Sequence, residues 1–114
     1  MILAEAFNGT EITLCKERTE ALWVTVRAYI KDGKLSIEGQ DLGEAPKAFF
    51  GSDEYEYYYF FDQDNTNKLF QELSATGNHP VLEFQERFSG LTACRDLRDF
   101  CEERGIKYRF DSWT

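Results

Sequence analysis

Tyr55-Glu56-Tyr57-Tyr58-Tyr59-Phe60-Phe61 places six aromatic residues in seven positions. Bulky rings favour an extended, pleated backbone, so residues 54–62 are read as a strand. A period of two sorts them into two faces. Tyr55, Tyr57, Tyr59 and Phe61 share one; Glu54, Glu56, Tyr58, Phe60 and Asp62 share the other. The second face begins acidic and becomes aromatic, so the strand is expected to run from an exposed edge into a doubly covered interior. Such a strand needs further layers to bury it. A chain of 114 residues suffices for one domain with a core of its own, expected to span 1–114.

The remaining periodicities supply those layers. Ile12 and Leu14 alternate through residues 10–18. Leu22, Val24, Val26, Ala28 and Ile30 alternate with Trp23, Thr25, Arg27, Tyr29 and Lys31, the clearest strand pattern in the first half. Asp32-Gly33 then predicts a tight hairpin turn into 34–39. Gly39, Gly43, Pro46 and Gly51 punctuate a loop, with one helical turn over 45–50 and with Phe49 and Phe50 expected to anchor it against the core. From Asp64 the period is helical. Asp64, Asn65 or Thr66 is expected to cap a stripe of Leu69, Phe70 and Leu73 that Gly77 ends. Pro80 opens a second helix with Val81, Leu82, Phe84 and Phe88 as packing residues, and Gly90 breaks it. Thr92 starts a third, over about 92–104, with the stripe Ala93, Cys94, Leu97, Phe100 and Cys101. Residues 106–113 alternate again as a closing strand. The order β-β-β-β-α-α-α-β predicts an α+β fold: a mostly antiparallel sheet of about five strands with about three helices on one face.

Charge is concentrated around the aromatic strand. Residues 38–72 hold nine acids against Lys47 and Lys68, a local −7 within a whole-chain −8. That balance disfavours nucleic acid, whose binding rests on neutralising phosphates with Lys and Arg, and it disfavours an anionic membrane surface too. No apolar run approaches the ~20 residues of a membrane span. The start, Met1-Ile2-Leu3-Ala4-Glu5, lacks the basic region of a signal peptide. A cytoplasmic setting is expected, with Cys15, Cys94 and Cys101 reduced and partly buried. Cys94 and Cys101 lie seven apart on one helix, a rise of about 10.5 Å, beyond the roughly 7 Å that a disulfide spans.

No reaction centre emerges. Asp62-Gln63-Asp64-Asn65-Thr66 is like the opening of a calcium loop, but Asn67 replaces its glycine and Leu73 its bidentate glutamate. Helix capping is the expected role instead. His79, the only histidine, stands beside Pro80 at a helix start, where capping or solvent exposure is expected over catalysis. One histidine and three scattered cysteines lack zinc spacing. Glu54 and Glu56 lie about 6.8 Å apart on one strand face, a separation at which two charges in water repel by only about 0.6 kcal/mol. No phosphate loop, nucleophile elbow or dinucleotide fingerprint occurs, and no cofactor or metal is implied.

What remains is surface. If helices cover one side of the sheet, Trp23, Tyr29, Arg27, Trp113 and Arg109 lie on the open side, and Tyr, Trp and Arg are the types enriched at interface hot spots. The expected contact set for a basic protein partner is Asp53, Glu54, Glu56, Asp62 and Asp64 with Tyr55, Tyr57, Trp23, Tyr29 and Trp113. These acids are expected to crowd around the tyrosines as one outward anionic surface. Alternatives are a small enzyme or ligand-binding domain with a pocket between sheet and helices, and a self-associating domain whose open face is buried in a homodimer.

The stretches Gly39-Gln-Asp-Leu-Gly43, Phe50-Gly-Ser-Asp-Glu-Tyr-Glu-Tyr57, Asn67-Lys-Leu69 and Phe100-Cys-x-x-x-Gly-Ile-Lys-Tyr108 resemble a group of small bacterial proteins of unassigned role. The resemblance covers about half the chain. It implies a bacterial cytosolic domain and assigns no residue a function. In size, acidity and lack of a catalytic motif the chain also resembles immunity proteins that neutralise secreted toxins, a likeness of character that implies a basic toxin as partner.

Overall fold

Alternation and helical period become nine elements. The computed structural model describes residues 7–114, apart from the side chain of Phe50. Strands β1 (Glu11–Arg18), β2 (Trp23–Lys31) and β3 (Lys34–Leu42) precede a short helix α1 (Glu44–Phe50) and strand β4 (Glu54–Phe60). Helices α2 (Gln63–Ser74), α3 (Pro80–Arg87) and α4 (Ala93–Arg104) follow, and β5 (Arg109–Trp113) closes the chain. The five strands form one sheet in chain order, each antiparallel to its neighbour. The fold is the expected α+β arrangement, with α1 as a fourth helix. The segment Met1–Glu5, on which the leader expectation rests, lies outside the described residues.

Local chemistry explains the joints. Asp32 and Gly33 both have positive φ, 54° and 72°, as a two-residue hairpin turn of the primed type requires. A register shift between Thr13 and Cys15 bulges β1, so Leu14 and Cys15 are both buried, which strict alternation does not predict. The cap of α2 is Asp62, two residues before the earliest expected position; its carboxylate accepts from the Asn65 backbone N–H at 2.8 Å. Thr66 is instead buried. Its hydroxyl accepts from the Leu35 N–H at 3.0 Å and donates to the Asp62 carbonyl at 2.7 Å, tying the first turn of α2 to β3.

The core lies between the helices and one face of the sheet. Val24, Val26, Ala28, Ile30, Leu35 and Ile37 meet Leu69, Phe70, Leu73, Phe84, Phe88, Leu97 and Phe100. Rings run in series through it, with centroids of Phe70–Phe84 at 6.0 Å, Phe84–Phe88 at 5.2 Å and Phe88–Phe100 at 5.4 Å. Leu82 of α3 is exposed because its helix turns that side to solvent. Phe49 is 84% exposed and is not the expected anchor; Pro46, on the inner side of α1, is the buried residue there. The Phe50 side chain, the other half of that expectation, lies outside the described residues.

β4 sits in the sheet with Tyr57 and Tyr59 toward the helices, both buried. Tyr57 pairs across the strands with Gly39, and its ring lies over that glycine: a Cβ at position 39 would fall 1.9 Å from Tyr57 Cε2. Gly39 therefore makes room for the ring, which shields backbone that a side chain would otherwise cover. Gly39→Ala should cost about 1–3 kcal/mol through overpacking. In Gly39→Ala/Tyr57→Ala the two losses should be markedly less than additive in urea unfolding. Additive losses would mean that the two positions are not coupled.

Candidate functional site: the uncovered face of the sheet

Helices on one side leave the other side of the sheet bare, and the register states what it presents. One cross-strand row is Lys16, Thr25, Gln40, Glu56 and Trp113; the next is Thr13, Arg27, Glu38, Tyr58 and Asp111. Trp23 (41%), Tyr29 (36%) and Trp113 (57%) stand exposed on this face. Tyr58 meets Trp113 edge-on, with centroids 5.2 Å apart and planes at 85°, and stacks parallel to Phe60 at 5.9 Å. Glu56, Tyr58, Phe60 and Trp113 line a depression of about 260 Å³. A second depression, of about 230 Å³, adjoins it between Glu54, Glu56 and Trp113.

The carboxylates beside these rings have no cation. Glu54 accepts from Gln40 Nε2 at 2.8 Å and Glu56 from the Tyr58 hydroxyl at 3.1 Å, and neither is in an ion pair among the described residues. Arg27 is occupied by Glu11 at 3.5 Å and Glu38 at 3.9 Å. A hydrogen bond shared with Glu54 raises the pKa of the Glu56 carboxyl, and the charges of Glu54 and Glu38 add to the effect. An arriving cation relieves the mutual repulsion of like charges.

The expected contact residues are not all together. Glu54, Glu56, Trp23, Tyr29 and Trp113 share the open face. Asp53 is exposed at the entry to β4. Asp62 and Asp64 lie at the opposite end, since six residues separate Glu56 from Asp62, about 20 Å of strand. Asp62 is engaged as a cap, and its bonds from Asn65 hold its pKa below the ordinary carboxylate range. Tyr55 and Tyr57 face the helices. The Tyr57 hydroxyl donates to Asp41 at 2.9 Å, and burial pushes the phenol well above its usual pKa. The single anionic surface is therefore corrected to three separate groups: Glu38, Glu54 and Glu56 outside, Asp41 inside, and Asp62 with Asp64 at the far end.

Tyr58, Phe60 and Glu38 belong to the face but were not singled out from sequence. The alternation around β4 already grouped Tyr58 and Phe60 with Glu54 and Glu56. The deciding fact is that Phe61, between β4 and the α2 cap Asp62, is core, which turns the odd positions inward.

Elsewhere, reactive groups serve structure. His79 Nδ1 accepts from the Val81 N–H at 3.2 Å, capping α3. Arg98 donates to the Tyr59 hydroxyl at 3.2 Å. Burial pushes the Cys94 thiol up to about 11 and the Cys101 thiol up to about 12, so at neutral pH both remain protonated and poor nucleophiles. Between sheet and helices the space is filled by Tyr59, Phe70, Phe84 and Phe88, all fully buried. No helix among the described residues is long and apolar enough to cross a membrane. Comparison with protein-family models, curated proteins and solved structures finds no match.

Burial raises the Asp41 carboxyl above its ordinary pKa, and the bond from Tyr57 only partly offsets this. A carboxyl with a raised folded-state pKa stabilises the fold at low pH, and that contribution is lost as pH rises through the folded value. Asp62 and Glu83 are lowered, so their contributions are lost as pH falls below the carboxylate range. Stability should therefore peak on the mildly acidic side. Asp41→Asn keeps an acceptor for Tyr57 and should flatten the decline in urea midpoints as pH rises above the ordinary carboxylate range. An unchanged slope in the variant would contradict the assignment.

Proposed function

We propose that the protein is a binding module without catalytic chemistry of its own and that the uncovered sheet face docks a basic protein. An immunity or inhibitor protein that neutralises a basic toxin is the most concrete form of this reading. The observation that carries it is the pair Glu54 and Glu56, in no ion pair among the described residues, directly beside the half-buried Tyr58 and the exposed Trp113.

The two features act at different stages. Unpaired carboxylates raise the association rate and select the partner's sign of charge, within a screening length of about 8 Å at physiological salt. The rings hold the complex once formed. A partner arginine fits the depression between Tyr58 and Trp113, its guanidinium over a ring and its N–H groups toward Glu56. Such a cation–π contact contributes about 0.5–2 kcal/mol depending on desolvation. Arg109 already illustrates the geometry, with its guanidinium carbon 4.7 Å from the Phe60 centroid.

The test is immobilised wild type and Glu54→Lys/Glu56→Lys exposed to host extract at low and high salt. Wild type should retain a basic protein that high salt releases, and the variant should not. With that protein purified, the variant should associate at least tenfold more slowly, with a flatter dependence on ionic strength. Equal retention and equal rates would remove this face from the function.

A further inference from the structure

At the opposite end of the Tyr58–Phe60 stack, where β4 runs into α2, lies a cavity of about 440 Å³. That volume falls within the range of about 300–1,000 Å³ typical of small-molecule sites. Its chemistry runs against the rest of the chain. The protein carries a net −8, yet Lys34, Lys107 and Arg109 converge on this cavity. Asp62 is the one acid in its lining, and its carboxylate is already the acceptor for the backbone and side-chain N–H groups of Asn65 at 2.8 and 2.9 Å. The lining thus carries three cations and one anion, Asp62, whose Oδ1 accepts both bonds. From β5, Asp111 reaches Arg109 Nη2 at 3.4 Å, an exposed ion pair of the weak kind that an incoming anion can replace.

The apolar part of the lining is aromatic. Phe60 lies beneath Arg109, and Tyr108 packs against the buried Phe61 with centroids 5.5 Å apart. A flat ring seated here gains ring contacts, while a charge on the same molecule reaches the cations.

The walls are held in place before any ligand arrives. The Asn65 side-chain carbonyl accepts from the Lys107 N–H at 2.8 Å, Lys68 donates to the Gly105 carbonyl at 3.2 Å, and Thr66 holds the Leu35 N–H, next to Lys34. Two separate chain segments, 34–35 and 105–107, are pinned to the first half of α2, which lowers the ordering cost of binding.

We propose that this cavity binds a small aromatic anion, a flat ring bearing a phosphate or carboxylate group. The ring rests against Phe60 and Tyr108, and the anionic group lies among Lys34, Lys107 and Arg109. The site shares Phe60 with the depression beside Trp113 but does not rest on the docking reading, because its cations and its other walls belong to the other end of the sheet.

Titration of the ¹⁵N-labelled protein with phenyl phosphate tests it, with inorganic phosphate and phenol as comparison ligands. Phenyl phosphate should shift the amides of residues 34, 65 and 107–109 saturably, at least tenfold more tightly than either comparison ligand. Lys107→Gln and Lys34→Gln should each weaken it at least fivefold with the remaining spectrum unchanged, while Glu56→Gln should leave it unaffected. Absence of saturation, equal affinity for inorganic phosphate or phenol, or indifference to both lysine variants would overturn the proposal.

Discussion

The ring of Tyr57 lies across the backbone of Gly39, and the character of both sheet faces follows from that contact. A side chain at 39 and a ring at 57 cannot occupy the same space, so β3 and β4 are locked in the register that sets them opposite each other. In a strand, a slip of one residue exchanges its two faces. The register observed sends Tyr57, Tyr59 and Phe61 into the core. It leaves Glu54, Glu56, Tyr58 and Phe60 outside. A one-residue slip would instead turn Glu54 and Glu56 against the helices. The same ring places its hydroxyl on Asp41, giving a half-buried carboxylate its acceptor role.

Charge is then distributed by topology. The nine acids of residues 38–72 are separated because β3, α1, β4 and α2 share them out and the pleat alternates those on the strands. Each group meets a different fate. Asp62 is consumed by helix capping, Asp41 by a buried hydroxyl, and Glu72 by Arg104 at 3.7 Å. Glu54 and Glu56 have only neutral donors. The cations of the chain are sorted too. Arg18 lies over Trp23 at 5.4 Å and Arg104 over Phe100 at 3.7 Å, while Lys34, Lys107 and Arg109 gather at the far end of β4. An acidic, aromatic depression and a cationic, aromatic cavity therefore flank one stack of rings.

Much of the fold was legible because its signals are local. Alternation in 21–31 and 54–62 marked two strands, Asp32-Gly33 the hairpin from the first of them into 34–39, and Pro80 and Gly90 the helix limits. What was not legible depended on partners distant in sequence. The bulge at Cys15 arises from pairing with β2. The cap moved to Asp62 because Thr66 is claimed by β3, thirty-one residues away. Phe49 is an exposed ring despite its hydrophobicity, since α1 turns Pro46 inward. The open face was anticipated through Trp23, Tyr29 and Trp113, but the division of the acids between two faces and two ends required the helices to be placed.

An exposed face with this many rings is the kind of surface at which proteins associate. Its β1–β2 half carries Lys16, Arg18 and Arg27, and its β3–β4 half carries Glu38, Glu54 and Glu56, so a second copy turned about a two-fold axis also offers charge matching. A basic partner and a second copy make opposite statements about the isolated chain. Sedimentation equilibrium at micromolar concentration, combined with acrylamide quenching of tryptophan fluorescence, separates them. The account predicts a monomer in which Trp23 and Trp113 are both freely quenched. A dimer with both tryptophans shielded would contradict it.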